Sequence, residues 1–576
     1  MRPRSPAFLC LLLAVAVAVT AGAVPGAAAP KARRPQAPGR YRFTAAPGET
    51  LLVHGTYPRT SSGCAGPDQQ PVLHERYRGA VEVVRSSDGD LHLVGELPFQ
   101  DYLKGIAEVP RDWPMEALKA QVVAARTYAL STLDPGGEYD LCATDACQVY
   151  AGVGIEAGPW GHRWVRAVDT TEGEVLLHRG RPATTVYFST SNGRTYPNEE
   201  VFGGEPLPYL RGIVERDDGA SPLSRWTVRI PFGDLARFLA ADGRWSGRPI
   251  RKVRQEDGRI VVRGSRRRST VVLDRAGLRD AMNDVAACLD PAGYPTREES
   301  GYRLPQAVPS TWFRSNEDGT SLVIEGRGWG HGAGMVQWGA YGKARRGLSY
   351  DRILALYYGG LRPQRRDVPS TIRVLLATDL TSVTVVPSGE ARVGGRRPPS
   401  PPWRLTGGRR LRLHHGPAPA PALEPSGFKA DRRAEAGIDY RARVRLPVGS
   451  RVRLRFEDQG DAAVETPWQP FEEGTARIEV APPPLAPGRY RVRAVVTDGV
   501  DLVRTERVSV RVRGEPIPVP SASPSPSPTK PRPIARPSGE GSDPAQPLTV
   551  VAVALGAAAL LGTLLTLWHR RRLHRS

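Results

Sequence analysis

The stretch ALKAQVVAARTY at residues 117–128 decides the fold of this chain, because it forms the middle of a predicted helix that Asp112 and Pro114 begin. Apolar residues recur along this helix at steps of three and four, which is the spacing of one buried face. They are Met115, Leu118, Val122, Ala125 and Ala129. The pattern predicts a helix that packs one apolar stripe against a core.

The segments on either side of this helix have patterns of their own. Upstream, short β runs begin near residue 41, and residues 97–108 (LPFQDYLKGIAE) predict a short helix that Pro110 stops. Downstream, residues 328–340 (GWGHGAGMVQWGA) predict a glycine-rich loop that enters a helix. This loop has neither the Gly-Lys-Ser/Thr nor the G-x-G-x-x-G spacing of nucleotide sites, so nucleotide binding is excluded there.

Together these segments resemble the stage II sporulation protein D / LytB family. Further matching pieces are CQVYAG at 147–152 and YFSTSNGRT at 187–195, and the resemblance covers about residues 75–360 in the family's order. The chain has Ser-Asn-Gly at 191–193 and Glu-Val-Pro at 108–110, where the family more often has Ser-Gly-Gly and Glu-Met-Pro. The resemblance implies a role in the bacterial cell envelope, as a lytic transglycosylase in the sporulation branch or an amidase enhancer in the LytB branch.

The resemblance places the family's catalytic glutamate at Glu108. A lytic transglycosylase can work with one carboxyl group, which first gives a proton to the glycosidic oxygen and then takes one from the muramic C6 hydroxyl. Glu108 must then start protonated, so we expect burial near Phe99, Ile106, Val109 and Trp113 to raise its pKa. Without the resemblance, a glutamate in a surface ion pair at a helix end is the simpler interpretation.

Several other side chains are candidates for binding the substrate. Arg126, and less strongly Lys119, could bind the lactyl carboxylate of muramic acid, since guanidinium forms bidentate contacts with carboxylates. The alternative for both is an ion pair on a solvated helix face. His331 lies between two glycines and could either donate to sugar hydroxyls or fix its own loop. The weaker candidates are Tyr187, Ser191 and Gln337.

The cysteines favour disulfides over a metal site. Two cysteines do not fill a tetrahedral zinc site, and no histidine lies between Cys142 and Cys147. In an exported protein, disulfides are the better interpretation, and we expect no metal and no cofactor. The expected pairs are Cys142–Cys147 and Cys64–Cys288. Zinc with a distant ligand such as His162 is the alternative.

The composition excludes several classes of protein. The chain of 576 residues is 40% hydrophobic and 24% charged, which is typical of a globular protein and not of wholesale disorder. Five cysteines are too few for a small disulfide scaffold. A net charge of +21 suits polyanionic partners, although the source genome's composition explains it as well.

The two ends predict an exported, membrane-anchored protein, so nucleic acid is not an expected partner. A basic start, a short apolar run and Ala21-Gly22-Ala23 predict a signal peptide cut after Ala23. The apolar run at 548–568 is long enough to span a bilayer, and the basic residues at 569–576 favour a cytoplasmic C-terminus. The expected segments are a signal peptide (1–29), a disordered leader (30–40), the domain that resembles the family (41–365), β segments with Pro-rich linkers (366–437), a β-sandwich (438–514), a Pro/Ser-rich linker (515–547), a transmembrane helix (548–568) and a basic tail (569–576).

We therefore expect an α+β fold, with helices and antiparallel strands in the first domain, then an all-β, immunoglobulin-like sandwich and a transmembrane helix. The expected function is cleavage of peptidoglycan glycan strands, linked to sporulation or wall remodelling, with peptidoglycan and the membrane as partners. One alternative is a non-catalytic enhancer of a wall amidase. The other is a wall-binding scaffold whose basic surface and sandwich hold anionic polymer.

Overall fold

The computed structural model describes most of the chain between residues 39 and 513. Within that range the described residues exclude 58–71, 159, 247, 266–268, 291, 297–302, 395–397, 409, 436–438, 459–462, 481–484 and 486. The predicted signal peptide, the Pro/Ser-rich linker, the apolar run at 548–568 and the basic tail all lie outside the described residues.

The first part of the chain alternates short strands with helices. Its elements are β1 (Arg40–Ala45), β2 (Leu51–Thr56), β3 (Val72–Tyr77), β4 (Ala80–Arg85), β5 (Leu91–Pro98), α1 (Phe99–Lys104), α2 (Met115–Ser131), β6 (Leu141–Cys142), a 3-10 turn (Gly154–Glu156), α3 (Gly161–Thr170), β7 (Glu174–His178), β8 (Arg181–Pro182), β9 (Tyr187–Phe188) and α4 (Asn198–Phe202).

A separate cluster of elements follows, with a hydrophobic core of its own between residues 223 and 324. Its elements are β10 (Trp226–Pro231), α5 (Phe232–Ala241), β11 (Ile250–Glu256), β12 (Arg259–Gly264), β13 (Thr270–Leu273), α6 (Arg275–Leu289), β14 (Phe313–Asp318) and β15 (Ser321–Gly326).

The chain then returns to the first part. This stretch contains β16 (Met335–Val336), α7 (Gln337–Arg345), α8 (Tyr350–Tyr357), β17 (Pro363–Arg365), β18 (Thr371–Leu380), β19 (Ser382–Pro387), β20 (Ala391–Val393), β21 (Trp403–Thr406) and β22 (Arg412–His415). Strand β18 pairs with β5, and β19 pairs with β2. Strands after residue 366 therefore complete two sheets that began before residue 98, in the orders β20-β1-β4-β5-β18-β6 and β22-β21-β19-β2-β3.

The last described part, which we call the C-terminal β unit (residues 423–513), consists of strands around one core. Its elements are β23 (Ser426–Ala430), β24 (Arg433–Glu435), β25 (Tyr440–Leu446), β26 (Ser450–Glu457), β27 (Ala463–Glu465), β28 (Gln469–Phe471), β29 (Gly474–Val480), β30 (Gly488–Thr497), β31 (Leu502–Arg504) and β32 (Val508–Arg513). The alternation of apolar residues with arginine in β25 and β26 places the apolar side chains inside.

Helix α2 lies at the centre of the first part and is buried on more than the one stripe that its sequence predicts. Leu118 and Val122 pack into the core that the two large sheets share. Ala120, Val123 and Ala124 pack into a second core with α7 and α8. Small side chains on this second face let the neighbouring helices approach α2 closely, so α2 separates two cores and positions the loops at its N-terminal end.

The expected fold class is wrong. The described part of the protein is mixed α/β, with about 41% of its residues in strands, which form many sheets, and 19% in helices. Parallel pairs join distant segments, namely β6 with β18, β9 with β16 and β24 with β32. Local patterns predict the strands but not their distant partners, which is why only antiparallel strands were expected.

The expected localisation, an anchor in the membrane by a C-terminal helix, is corrected as well. In the part of the chain that the structure describes, no helix has the length and apolar character needed to cross a bilayer. The expectation was based on the length of the apolar run at 548–568, which lies outside the described residues. The limits of the predicted domains stay predictions.

Candidate functional site

Glu108 lies in a loop between α1 and α2, and not at the end of a helix. Helix α1 ends at Lys104, and Gly105 follows it. A Cβ at Gly105 would lie 2.3 Å from the Tyr150 ring, so only glycine permits this close approach. The backbone beyond pairs with residues 149–151, since the Ala107 N–H donates to the Val149 carbonyl at 2.9 Å. This pairing ends the predicted helix four residues before Glu108.

The two oxygens of the Glu108 carboxyl have different surroundings. Oε1 accepts a hydrogen bond from the Val149 N–H at 2.7 Å and lies 3.3 Å from the Tyr187 hydroxyl, which donates to it. Neither of these two hydrogen bonds reaches Oε2. Val149 and Tyr187 thus hold Oε1, and Oε2 is the carboxyl oxygen that they leave free of their contacts.

Burial raises the pKa of Glu108 to about 7, because a desolvated carboxylate is costly. The hydrogen bonds from Val149, Tyr187 and Gln337 stabilise the carboxylate and offset part of that effect. Around neutral pH, Glu108 therefore exists in both protonated and ionised forms. This is the condition for a group that must first give a proton and then take one.

A buried chain of hydrogen bonds supports Tyr187 from behind. The Tyr102 hydroxyl donates to Gln148 Oε1 at 2.8 Å, and Gln148 Nε2 donates to the Tyr187 oxygen at 2.8 Å. Gln148 Nε2 also contacts the Ala125 carbonyl at 3.2 Å, which links the chain to α2. Because the Gln148 amide donates to Tyr187, the Tyr187 hydroxyl proton is free to point at Glu108.

Gln337, near the C-terminal end of the segment that resembles the family, also contacts the Glu108 loop. Its Nε2 lies 3.4 Å from the Glu108 carbonyl oxygen and 3.5 Å from Gln121 Oε1. Gln121 is buried, and its own Nε2 has no hydrogen-bond partner among the described residues. The parallel pairing of Met335 with Tyr187 sets this arrangement, because it places the start of α7 beside β9.

His331 fixes its own loop. Its Nε2 donates to the Tyr187 carbonyl at 2.9 Å, and its Nδ1 accepts the Ala333 N–H at 3.1 Å. The residue is exposed as a whole, but both ring nitrogens face the protein. Desolvation lowers the pKa of His331 to about 4, so the ring is neutral at pH 7. The geometry thus matches the second of the two roles that the sequence left open, and a contact with sugar stays a prediction.

Ser191 is buried beside an acidic loop. Both its N–H and its hydroxyl donate to Asp218 Oδ2, at 2.8 and 2.7 Å. Ser191 therefore stabilises the backbone that follows β9. The side chain of Ser191 is thus used by Asp218, and its proposed contact with sugar stays a prediction.

The two cations predicted on α2 lie away from Glu108. Arg126 is 0% exposed, and its guanidinium donates to the carbonyls of Val168 and Glu174, both at 3.2 Å. Burial lowers the pKa of Arg126 to about 10. Lys119 pairs with Glu116 at 3.1 Å. The structure therefore brings together Glu108, Tyr187 and Gln337, and does not bring Arg126 or Lys119 to them.

The Cys142–Cys147 disulfide is present, with a Cα–Cα distance of 5.4 Å. It closes the loop immediately before Gln148 and Val149, the residues that contact Tyr187 and Glu108. Cys64 lies outside the described residues, so its pairing with Cys288 stays a prediction. No group of three or more potential metal ligands occurs among the described residues.

An aromatic wall lies beside the Glu108 loop. Trp113 packs against Trp338 and Tyr341, with ring centroids 4.9 and 5.1 Å apart. These three rings line a cavity of about 430 Å³ together with Pro110, Asp112, Pro114 and Arg345. Trp338 follows Gln337 in the chain, so the wall lies next to the residue whose side chain reaches the Glu108 backbone.

Comparisons with known proteins identify the family. A family model described as Stage II sporulation protein matches residues 87–178. An uncharacterised protein of Brachyspira hyodysenteriae is 32% identical over 290 residues, which are 50% of this chain and 71% of that protein. Stage II sporulation protein D of Bacillus amyloliquefaciens is 28% identical, over 51% of this chain and 80% of that protein. The chain belongs to the stage II sporulation protein D / LytB family.

Other matches are narrower. The "Amidase enhancer" of Bacillus subtilis is 29% identical over 45% of this chain, but this covers only 39% of that protein. Among solved structures, a superoxide reductase from Ignicoccus hospitalis overlaps 16% of this chain with a TM-score of 0.12, which carries no argument. The resemblance that the sequence motifs indicated is thus confirmed, and the matches to relatives cover about half of this chain.

The sequence did not indicate four groups of this family member that contact Glu108 or the residues next to it. They are the Val149 N–H, Gln148, Tyr102 and Gln121. Gln148 and Val149 lie within the segment CQVYAG that helped to identify the family, so that motif was the available signal. Tyr102 and Gln121 also lie within segments that support the resemblance, 97–108 and 117–128, but their apolar neighbours made them look like core residues.

Proposed function

We propose that this protein acts in the bacterial cell wall and cleaves peptidoglycan glycan strands as a lytic transglycosylase that needs no metal. Membership in the family supports the cell-wall role, since its relatives are named stage II sporulation protein D and amidase enhancer. The observation that supports strand cleavage is Glu108, because burial raises its pKa to about 7 while Val149 and Tyr187 hold only its Oε1.

The reaction needs one carboxyl group used twice. Protonated Glu108 gives its proton to the oxygen that bridges N-acetylmuramic acid and N-acetylglucosamine, and the bond from muramic C1 to that oxygen breaks. The muramic C6 hydroxyl then bonds to C1, and its proton passes to the Glu108 carboxylate. The products are a 1,6-anhydro end and a free hydroxyl, Glu108 is protonated again, and no water is consumed. Ordinary glycoside hydrolysis instead needs two carboxyl groups and water.

The surrounding groups suit both halves of this reaction. Val149 and Tyr187 donate to Oε1, so they stabilise the carboxylate after its proton has left. Oε2 carries the mobile proton in this scheme because it faces the ligand. Tyr187 acts by positioning and charge stabilisation, and burial raises its own pKa well above the usual value, so it stays protonated.

Product analysis tests the proposal directly. Purified peptidoglycan, both intact and stripped of its stem peptides, is incubated with the protein and its soluble products are analysed by mass spectrometry. We expect 1,6-anhydro-muramic ends that form equally well with a metal chelator present. Reducing ends formed with uptake of water would contradict transglycosylation.

The second candidate function is stimulation of a wall amidase, and the similarity to the Bacillus subtilis amidase enhancer favours it. The same incubation, repeated with an added wall amidase, separates the two. If the protein forms no anhydro ends yet raises the rate at which the amidase releases stem peptides, the enhancer function is the correct one.

The activity should fall as pH rises through about 7, because only the protonated form of Glu108 starts the reaction. Below that pH the rate should be level, and well above it the rate should fall about tenfold per pH unit. Tyr187→Phe removes a hydrogen bond that stabilises the carboxylate, so the inflection should move to higher pH. Initial rates between pH 5 and 9 measure both effects. A rate that rises through pH 7 would show that a carboxylate base starts the reaction.

A further inference from the structure

A second cavity adjoins the aromatic cavity that lies beside the Glu108 loop. This second cavity has a volume of about 510 Å³, and Pro110 and Asp112 line both cavities. The turn that carries Pro110, Arg111 and Asp112 therefore forms the boundary between them. We call the two cavities together the extended groove.

The far wall of the second cavity comes from the C-terminal β unit. Val448, Glu472 and Val500 face Ile155 and Trp160 of the first part of the chain across this cavity. Trp160 is 39% exposed and Val448 is 44% exposed, so both offer apolar surface to a ligand. The β unit lies outside residues 87–178, which the family model matches.

The two walls are held together by specific contacts. Arg451 of β26 donates to the Glu156 carbonyl at 2.7 Å and to the Ala157 carbonyl at 3.2 Å. The Trp160 indole donates to Glu472 Oε1 at 2.9 Å. These bonds join the walls at the cavity itself, so its shape exists before a ligand arrives, which lowers the cost of binding.

A second set of contacts lies close by. His74 Nε2 lies 3.0 Å from Asp501 Oδ1, and both side chains are buried. The Arg76 guanidinium donates to the Val500 carbonyl at 2.9 Å, next to the cavity lining. The β unit is therefore attached to the first part of the chain through buried polar contacts, and not by a linker alone.

We propose that a glycan strand lies along the whole extended groove, so that the C-terminal β unit supplies a binding subsite for sugars beyond the cleaved bond. This rests on the proposed function for the chemical class of the ligand. Each cavity falls within the volume range of ligand sites, which combine apolar surface with a few polar groups. Sugar rings offer apolar faces to Trp160 and Val448, and their hydroxyl and N-acetyl N–H groups donate to carboxylates such as Glu473.

The need of a glycan strand to extend past the cleaved bond indicates which ligand fits the extended groove. A polymer that places a glycosidic bond at Glu108 must continue on both sides of that bond. Pro110 lines both cavities and comes two residues after Glu108, so its Cα lies within about 7 Å of the Glu108 Cα. The groove therefore predicts that affinity increases with the length of the glycan. A ligand confined to the first cavity would show no such increase.

Binding of neutral N-acetylglucosamine oligomers to the full chain tests this, because these probes share the backbone of the glycan and need no cleavage. By isothermal titration calorimetry, we expect six-sugar oligomers to bind at least about tenfold more tightly than two-sugar oligomers, which is about 1.4 kcal/mol. Val448→Asp and Trp160→Ala should remove most of this advantage and leave the binding of two-sugar oligomers unchanged.

Val464→Asp is the matched control, because Val464 is also an exposed valine of the β unit, at 38% exposure, and does not line the cavity. It should preserve the advantage of the longer oligomer. Equal affinity of the wild-type protein for both oligomers would overturn the proposal. The proposal would also be overturned if Val448→Asp and Val464→Asp reduced the affinity for the longer oligomer equally.

The experiment separates this proposal from the proposed function. If the protein forms no anhydro ends but binds long oligomers through Val448 and Trp160, the groove stands and the transglycosylase proposal fails. If anhydro ends form but oligomer length has no effect on affinity, the transglycosylase proposal stands and the groove fails.

Discussion

Glu108→Gln should reduce the formation of 1,6-anhydro ends by about 10⁴-fold, because an amide exchanges no proton with the substrate. General acid–base catalysis typically raises the reaction rate by about 10²–10⁴-fold. Because one group provides it in both steps here, we expect a loss at the upper end of that range. The fold should be kept, since the amide is nearly isosteric and its oxygen can still accept the Val149 N–H. Mass spectrometry of the products measures the loss.

Glu325→Gln is the matched control for this experiment, because Glu325 is an exposed glutamate on β15 with no place in the site. It should cleave as fast as the wild-type protein. Circular dichroism should show both variants folded. If Glu108→Gln cleaves as well as Glu325→Gln, the acid–base role of Glu108 is wrong, whatever the family membership suggests.

Lys343→Met should lower the free energy of unfolding by about 3–5 kcal/mol, because it breaks a buried ion pair and leaves a carboxylate without its cation. Lys343 Nζ lies 2.8 Å from both oxygens of Glu215 and 3.0 Å from Asp217 Oδ2. The side chains of Lys343 and Glu215 are only 7% and 0% exposed. Tyr357 also donates to Glu215 but cannot neutralise its charge. Urea denaturation measures the change.

The control for this second prediction is Lys119→Met, which breaks a partly exposed pair between Lys119 and Glu116 on one helix. Such pairs are worth about 0.2–1 kcal/mol, so the control should lose little stability. Equal losses in the two variants would show that the Lys343 cluster is no more important than a surface pair.

The Lys343 cluster also explains how the site loops are held. Lys343 lies on α7, which begins at Gln337, and its partners Glu215 and Asp217 belong to the same acidic loop as Asp218. Asp218 in turn accepts both hydrogen bonds from Ser191. One acidic loop therefore stabilises the backbone after β9 and the helix that carries Gln337.

The site was only partly predictable from the sequence. Glu108, Tyr187 and Gln337 were singled out, and the structure places Tyr187 and Gln337 each within hydrogen-bonding reach of Glu108. The raised pKa of Glu108 was expected from its apolar neighbours, and burial does raise it. The positions of Arg126 and Lys119 were not predictable, because helical spacing shows which residues share a side but not what packs against that side.

The helix at residues 115–131 and the alternating strands of the C-terminal β unit were determined by the sequence alone, because a period near 3.6 or 2 is a local property of the chain. The family was also recognisable, since its motifs are continuous segments. The tertiary structure alone decided which distant segments meet: β16 beside β9, β18 beside β5, and residues 448–500 opposite Trp160. These contacts depend on burial and hydrogen bonding between segments that can be more than a hundred residues apart, and no local pattern encodes such pairings.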